Sequence, residues 1–112
     1  MLTPGHATAA AALRIERAPV PAAQVVAGTP GTGSAVLDVL GDTEIGVWEM
    51  SPGAMRDVEV DEVFLVLSGA ATVDFEGDGR RITLAPGDIV RLVTGMRTVW
   101  TVTETLRKLY LA

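Results

Sequence analysis

The feature that most constrains the fold is a succession of short apolar, β-branched runs separated by turn residues. After residue 22, no stretch shows the 3.6-residue apolar period that an amphipathic helix would have. Strands at such short and regular intervals are typical of a β-sandwich or β-barrel, so the sequence predicts an all-β fold. The predicted strands are Ala35–Leu40, Glu44–Met50, Val58–Leu67, Ala70–Phe75, Arg81–Leu84, Ile89–Val93, Val99–Val102 and Leu106–Leu111.

A length of 112 residues predicts one domain. Residues 1–34 are predicted to form an N-terminal tail and linker, and residues 35–112 a single β-barrel domain. The Pro19-Val-Pro21 sequence favours an extended chain, so Leu13 and Ile15 could add an edge strand at most.

The composition excludes several classes of function. Because the chain has no cysteine, it has no disulfides, thiolate metal sites, iron–sulfur clusters or thiol nucleophile. The one histidine, His6, lies in the tail, which argues against sites that need two imidazoles or a Ser–His pair. With 9 basic and 14 acidic residues, the chain lacks the basic surface that nucleic acids require.

Two uncharged segments resemble targeting or membrane sequences only superficially. No Lys or Arg precedes the apolar run Ala7–Leu13, as a signal peptide would require. Residues 18–37 are uncharged but contain several Pro and Gly residues, so they cannot form one unbroken membrane helix. We therefore expect a cytoplasmic protein without a membrane anchor.

Strand alternation predicts one inward carboxylate. Val58, Val60 and Glu62 share a face that continues in register into Phe64 and Val66. If that face looks inward, Glu62 lies among apolar side chains and needs a cation or a hydrogen-bond donor. The opposite face carries the acidic residues Asp57, Glu59 and Asp61. It is predicted to be the solvated face of an edge strand, with a hard-cation site as the alternative.

The last predicted strand supplies a partner for that carboxylate. Leu106, Lys108 and Tyr110 share a face, and Lys108 is the candidate partner of Glu62. One interpretation is structural: an ion pair or a Lys108 that reaches the barrel rim, a core Tyr110, and Trp48 and Trp100 as core aromatics. The other makes Glu62 a general acid/base, with Lys108 and Tyr110 stabilising charge and the two tryptophans lining a ligand pocket.

Several stretches together resemble a known family. They are Gly46-Val-Trp-Glu-Met-Ser-Pro-Gly53, Asp61-Glu-Val-Phe-Leu-Val-Leu-Ser-Gly69, Ala85-Pro-Gly-Asp88, Gly95-Met-Arg-Thr-Val-Trp100 and Glu104-Thr-Leu-Arg-Lys-Leu-Tyr110. Over about residues 44–112 the chain resembles the small cupins grouped with the ureidoglycine aminohydrolase cupin domain, once a family of unknown function. The resemblance implies a double-stranded β-helix, the RmlC-like jelly roll, with a ligand pocket between its sheets.

The chain departs from the metal-binding cupins at their ligand positions. Their first motif holds two His and a Glu, and the second a further His; here only the Glu remains, at Glu62. The first-motif histidines fall at Met55 or Arg56 and at Asp57 or Val58, and the second-motif histidine falls at Thr98. Since Fe, Ni and Mn sites prefer imidazole with carboxylate, we expect no metal and no cofactor.

The side chains near the lost ligand positions have their own interpretations. Met55 and Met96 are expected to fill the space with apolar volume. Arg56 and Arg97 either stand at the barrel mouth and attract an anionic ligand or are exposed turn residues.

The sequence thus leads to two hypotheses of function. The first is a metal-free cupin that binds a small polar or anionic metabolite, for which the resemblance implies ureidoglycine-like amide or amine chemistry. The second is a non-catalytic homodimeric scaffold or sensor module for a partner enzyme, with Val63–Leu67 and Leu106–Leu111 as interface material. Whether the protein is an enzyme stays open. The candidate catalytic residues are Glu62, Lys108 and Tyr110, and the candidate ligand-binding residues are Trp48, Thr98, Trp100 and Arg56.

Overall fold

A computed structural model describes all residues from Met1 to Ala112 and contains nine strands and one short 3₁₀ helix, Ala10–Ala12. The predicted all-β fold is therefore confirmed. No helix has the length and apolar character needed to cross a lipid bilayer. The strands are β1 (Ala18–Pro19), β2 (Val25–Ala27), β3 (Gly31–Leu40), β4 (Thr43–Met50), β5 (Gly53–Val58), β6 (Glu62–Phe75), β7 (Arg81–Leu84), β8 (Ile89–Leu92) and β9 (Arg97–Leu111).

Two long strands organise the curled sheet. β6 and β9 pair antiparallel along most of their length, from Val63 opposite Leu111 to Phe75 opposite Thr98. The first half of β9 also pairs with β5 and the second half with β4, so β9 joins both parts of the sheet. β7 and β8 lie one after the other along the other edge of β6.

The sequence predicts two shorter strands in place of each of β6 and β9, and within β6 it does so because Ser68-Gly69 is typical of a turn. In the structure this dipeptide is a bulge at which β6 bends and its pairing with β9 continues. Gly69 has φ +94°, and a Cβ there would lie 2.1 Å from the carbonyl oxygen of Thr105. Only glycine allows the two backbones to approach so closely.

The sequence predicts a strand from Val58 to Leu67 and none directly after Ser51-Pro-Gly53, and this prediction is wrong at its start. The structure has a strand at Gly53–Val58 and a loop over residues 59–61. Val58 and Val60 are 59% and 60% exposed, so their predicted inward position is wrong, whereas Phe64 and Val66 are buried as predicted. The alternation fails because the loop breaks it: the backbone of Glu59 bonds to Gly95 and Met96 across the barrel end.

The inner face of the sheet forms the core, with Met50, Phe64, Leu92, Trp100 and Leu106 almost fully buried. The N-terminal tail crosses the opposite, outer face near Gly33, where a Cβ would lie 2.2 Å from the carbonyl oxygen of Glu16. Leu13 and Ile15 are half-buried and lie outside the strands. The rest of residues 1–34 contributes β1, β2 and the first residues of β3.

Candidate functional site

The inner face of the barrel encloses the ammonium group of Lys108 between three aromatic rings. Its Nζ lies 4.5 Å from the ring centroid of Phe64, 4.7 Å from Trp48 and 4.8 Å from Trp100. The sheet register brings the rings there, since Lys108 pairs with Trp48 across β4 and β9. Because ring faces carry negative electrostatic potential, each of them attracts the ammonium. We call Trp48, Phe64 and Trp100 the ring cage.

Glu62 completes the surroundings of the ammonium. Lys108 Nζ donates a hydrogen bond of 2.8 Å to Glu62 Oε2, and the two side chains are 6% and 12% exposed. The predicted pairing of these two residues is confirmed. The pair is largely buried and its hydrogen bond is charge-assisted, so removing one partner would leave the other charge buried and uncompensated.

A second buried carboxylate, Glu59, was missed by the sequence analysis. Its Oε2 accepts hydrogen bonds from Thr98 Oγ1 at 2.7 Å and from Trp100 Nε1 at 3.0 Å. Glu59 is 8% exposed, so its assignment to a solvated acidic face is wrong. A signal was available in the sequence: Thr98 and Trp100 lie two residues apart on one strand face, and both can donate to a shared acceptor. Through this acceptor, Glu59 fixes the orientation of one ring of the cage.

Asp57 adds a third carboxyl to the same region. It is half-buried on β5, opposite Thr98. Burial raises the pKa of Asp57, and the negative charge of Glu59 raises it further; the Val58 backbone N–H and Lys108 oppose this rise. Asp57 therefore holds its proton more readily than a free aspartate, first because it is half-buried and second because other carboxyl groups lie near it.

Tyr110 lies beside this cluster, opposite Phe64 of β6. Its hydroxyl donates a hydrogen bond of 2.8 Å to Glu44 Oε2. Burial, together with that bond, raises the pKa of Tyr110 to about 12. The ring lies across Gly46, where a Cβ would come within 2.4 Å of it, so the glycine makes room for the ring.

Glu62, which binds the buried ammonium, also lines an opening to solvent. A cavity of about 300 Å³ is lined by Glu62, Asp61, Arg91, Thr43, Val63 and Leu111. Arg91 Nη2 lies 3.5 Å from Asp61 Oδ1 on its wall. Behind Glu62, the interior is filled by Lys108, Phe64 and Trp100, which are all at least 95% buried. Met55 is buried there too, as expected, and Met96 packs against the core.

The structure brings together some of the predicted site residues and separates others. Glu62, Lys108, Trp48 and Trp100 are in contact, and Thr98 reaches them through Glu59. Arg56 does not contact them. It is exposed on β5 and lines a different cavity together with Arg97.

The residues at the ligand positions of metal-binding cupins do not fit a transition metal. Two residues were possible at each first-motif histidine position. Of these, Met55 and Asp57 face inward, whereas Arg56 and Val58 are exposed. Glu62 already binds the Lys108 ammonium, and the Thr98 hydroxyl donates to Glu59. No group of three His, Cys, Asp or Glu side chains is spaced to hold a metal ion. A thioether, a hydroxyl and two carboxyl groups near an ammonium make a poor site for Fe, Ni or Mn.

One family model and a number of solved structures match this chain. The family model described as "EutQ-like cupin domain" matches residues 37–110. A comparison with curated proteins gives no match.

Three solved structures illustrate the likeness. A DUF861-family protein of unknown function from Pseudomonas syringae pv. tomato has a TM-score of 0.76 at 24% identity over 90% of this chain. This chain spans only 45% of that one. The Clostridium difficile EutQ protein has a TM-score of 0.62 at 20% identity, covering 73% of this chain and 67% of its own. A DUF861-family protein from Thermotoga maritima is 31% identical with a TM-score of 0.53, covering 57% and 73% of the two chains.

Proposed function

Because the chain belongs to the EutQ-like cupin domain family, we propose that it is a metal-free cupin that binds a small polar or anionic metabolite in the cavity beside Glu62. One observation carries this proposal. The Glu62 carboxylate bonds to a buried ammonium on one side and lines a cavity of about 300 Å³ on the other. That volume is at the lower end of small-molecule sites.

The groups around the cavity suggest how a ligand would be held and what could happen to it. The Arg91 guanidinium lies 3.5 Å from Asp61, and its N–H groups can also bind a carbonyl or carboxylate oxygen of the ligand. Glu62 can accept a proton from a ligand N–H or O–H group and return it, as a general acid/base. Lys108 stabilises the Glu62 carboxylate before it accepts the proton and again once it has returned it.

The remaining candidate residues act through this pair in the proposal. Trp48 and Trp100 hold the Lys108 ammonium, and Thr98 fixes Glu59, which orients Trp100. Tyr110 keeps its proton at neutral pH and binds Glu44, so it would stabilise charge next to Lys108 on the inner face. Proton transfer at a carboxylate suits the ureidoglycine-like amide or amine ligands that the cupin resemblance suggested. We expect the protein to act in the cytoplasm.

Calorimetry and thermal-shift measurements test this proposal with ureidoglycolate, allantoate and small carboxylic acids as ligands. We expect at least one of them to raise the melting temperature of the wild type, and Glu62→Gln to lose that effect. Glu104→Gln is the matched control, since Glu104 is exposed on β9 and the substitution removes the same charge. The proposal fails if none of these compounds stabilises the wild type, or if Glu62→Gln binds them equally well.

A second candidate function, a non-catalytic homodimeric scaffold or sensor module, is favoured by the outer face of the sheet. Apolar side chains form adjacent rows there: Leu65 pairs with Leu109 and with Ile89, and Val63 pairs with Leu111. Ile89 is 71% exposed and Leu111 41%, while the other three are half-buried. Four of these residues lie in Val63–Leu67 and Leu106–Leu111, the segments that the sequence analysis proposed for an interface. The fifth, Ile89, lies in β8. Such a patch is a typical protein–protein contact surface.

Light scattering over a concentration series tests the dimer. We expect a dimer at micromolar concentration that dissociates in Ile89→Lys and persists in Val36→Lys, which places the same charge on an exposed position of β3. A wild-type monomer throughout the series would eliminate this second candidate.

A further inference from the structure

The barrel has two cationic side chains without an acidic partner, and they lie together. Residues 35–112 contain seven basic residues, of which five have a carboxylate oxygen within 4 Å. The two that do not are Arg56 and Arg97. In a chain with a net charge of -5, two neighbouring guanidinium groups without a carboxylate partner stand out.

The strand register explains why these two arginines are close. Arg56 pairs with Val99, and Val58 pairs with Arg97, so the arginines lie diagonally across β5 and β9 on one face. Diagonal neighbours on a sheet are within reach of long side chains. Both arginines line a cavity of about 280 Å³ together with Gln24, Asp57 and Glu76. We call these five residues the arginine cleft.

The acidic residues of the arginine cleft leave the guanidinium groups free. Neither Asp57 nor Glu76 forms an ion pair with Arg56 or Arg97. Asp57 Oδ1 accepts the N–H of Val58 at 2.8 Å, and burial raises the pKa of this carboxyl, so it carries negative charge less readily. Each guanidinium has five N–H donors in a planar fork, and none of them is bonded to a protein acceptor here.

A larger cavity adjoins the arginine cleft. It has a volume of about 470 Å³ and shares Glu76 and Arg97 with the cleft. Phe75 and Met96 give it an apolar wall. Arg80 covers the Phe75 ring at 5.1 Å and is bound to Asp78 at 2.8 Å, so its charge is already compensated. A molecule with a charged group in the cleft could therefore place an uncharged part in this larger cavity.

From these observations we propose that the arginine cleft binds the oxyanion group of a small metabolite, a phosphate monoester or a carboxylate. Arg56 and Arg97 supply the hydrogen bonds, because the guanidinium fork matches the geometry of both oxyanions. The adjoining cavity receives the remainder of the molecule. The cleft has no residue in common with the cavity beside Glu62, so this inference does not rest on the proposed function.

Isothermal titration calorimetry with inorganic phosphate, glycerol phosphate and succinate tests the site and separates the two oxyanion sources. We expect saturable one-to-one binding of glycerol phosphate or of succinate by the wild type. Inorganic phosphate should bind more weakly than glycerol phosphate, since it has no part to place in the larger cavity. Arg56→Gln and Arg97→Gln should each weaken binding about tenfold or more, as expected for losing a charge-assisted hydrogen bond.

The matched control is the double variant Arg14→Gln/Arg17→Gln, which removes two uncompensated charges from the tail and leaves the cleft intact. We expect it to bind like the wild type. The inference is overturned if the control weakens binding as much as the cleft variants do, since the effect would then follow net charge. It is also overturned if none of the three anions binds saturably, or if both cleft variants bind them unchanged. Glu62→Gln should bind glycerol phosphate and inorganic phosphate normally. Because these two anions are not among the ligands that test the cavity beside Glu62, this result is separate from the proposed function.

Discussion

Residues 107 and 108 are neighbours in β9, yet their side chains lie on opposite faces of the sheet, each in a buried ion pair. On the inner face, Lys108 Nζ lies 2.8 Å from Glu62 Oε2 within the ring cage. On the outer face, Arg107 Nη2 lies 3.2 Å from Glu49 Oε2, and Arg107 Nη1 donates to the carbonyl oxygen of Ala10 at 3.0 Å. The inner face thus buries a lysine with its carboxylate, and the outer face buries an arginine with its carboxylate.

The difference follows from the shapes of the two cations. The planar guanidinium of Arg107 can bind two acceptors at once, so it joins the barrel to the N-terminal tail. The compact ammonium of Lys108 fits between three ring faces and needs one strong acceptor. The outer pair therefore stabilises the arrangement of the chain. The inner pair holds a charged carboxylate at the edge of a cavity, where it can meet a ligand.

The largest expected effect comes from removing the inner cation. Lys108→Ala leaves the Glu62 carboxylate buried without a partner, which should lower the free energy of unfolding by about 3–5 kcal/mol. The double variant Lys108→Met/Glu62→Gln removes both charges and should recover most of that loss. Urea denaturation measures both effects. A loss in Lys108→Ala no larger than that of an exposed ion pair would mean that water enters the ring cage.

The same variant offers a sharper test of the ring cage. Lys108→Ala empties a space that suits an alkylammonium ion, so propylammonium should raise its melting temperature more than propanol of the same length does. The wild type should show no such preference, since its own ammonium occupies the cage. Equal stabilisation by the alcohol would show that the added molecule binds because of its size and not because of its positive charge.

The outer pair should give a smaller effect of a different kind. Arg107→Lys keeps the positive charge near Glu49 but loses the second branch that reaches Ala10, at a cost of about 1–3 kcal/mol. We expect limited proteolysis to cut the tail faster, while tryptophan fluorescence, which reports on the ring cage, stays unchanged. A change in that fluorescence would show that the ion pair on the outer face affects the ring cage on the inner face.

The same contrast shows what the sequence could predict. Alternation placed Leu106, Lys108 and Tyr110 on one face and Arg107 on the other, because β9 is continuous there and has a strict period of two. Turn residues located the strands, and the cupin resemblance gave the fold that the related structures share. The pairing of Glu62 with Lys108 followed from the same rule, since each lies within a regular stretch that faces the core.

Alternation failed where the chain leaves the ladder. Glu59 lies in a loop whose backbone bonds fold it inward, and no local pattern marks that change of direction. Phe64 was placed inward, but its approach to Lys108 depends on the register between β6 and β9. That register is set by bulges near Gly69, which the sequence presents as a turn. The arginine cleft depends on the same kind of information, because Arg56 and Arg97 are 41 residues apart along the chain and meet only through the pairing of β5 with β9.

Acid–base behaviour should distinguish the half-buried Asp57 from the exposed Asp61, because their pKa values shift in opposite directions. The raised pKa of Asp57 contributes stability below the ordinary value of 3.8, and this contribution is lost as pH rises through the folded-state pKa. Asp57→Asn should therefore gain in melting temperature relative to the wild type as pH increases. For the exposed Asp61, the backbone N–H of Thr94 lowers the pKa, so its contribution is lost as pH falls. Asp61→Asn should accordingly lose stability at neutral pH, and equal signs for the two variants would contradict the burial of Asp57.

The smallest expected effect concerns Tyr110, which lies two residues after Lys108 on the inner face and reports how far water reaches there. It is the one tyrosine of the chain, so ultraviolet absorbance follows its ionisation without interference from another phenol. We expect a midpoint near the pKa of about 12 in the folded protein and near 10 after denaturation, with circular dichroism monitoring the strands. Stability should accordingly fall as pH rises through this interval, since the folded state holds the proton longer. Glu44→Gln should lower the midpoint only in part, because burial is the larger cause and the ring would still lie across Gly46. A folded-state midpoint near 10 would mean that water reaches the Tyr110 hydroxyl, close to the inner pair, and would contradict the burial of this part of the inner face.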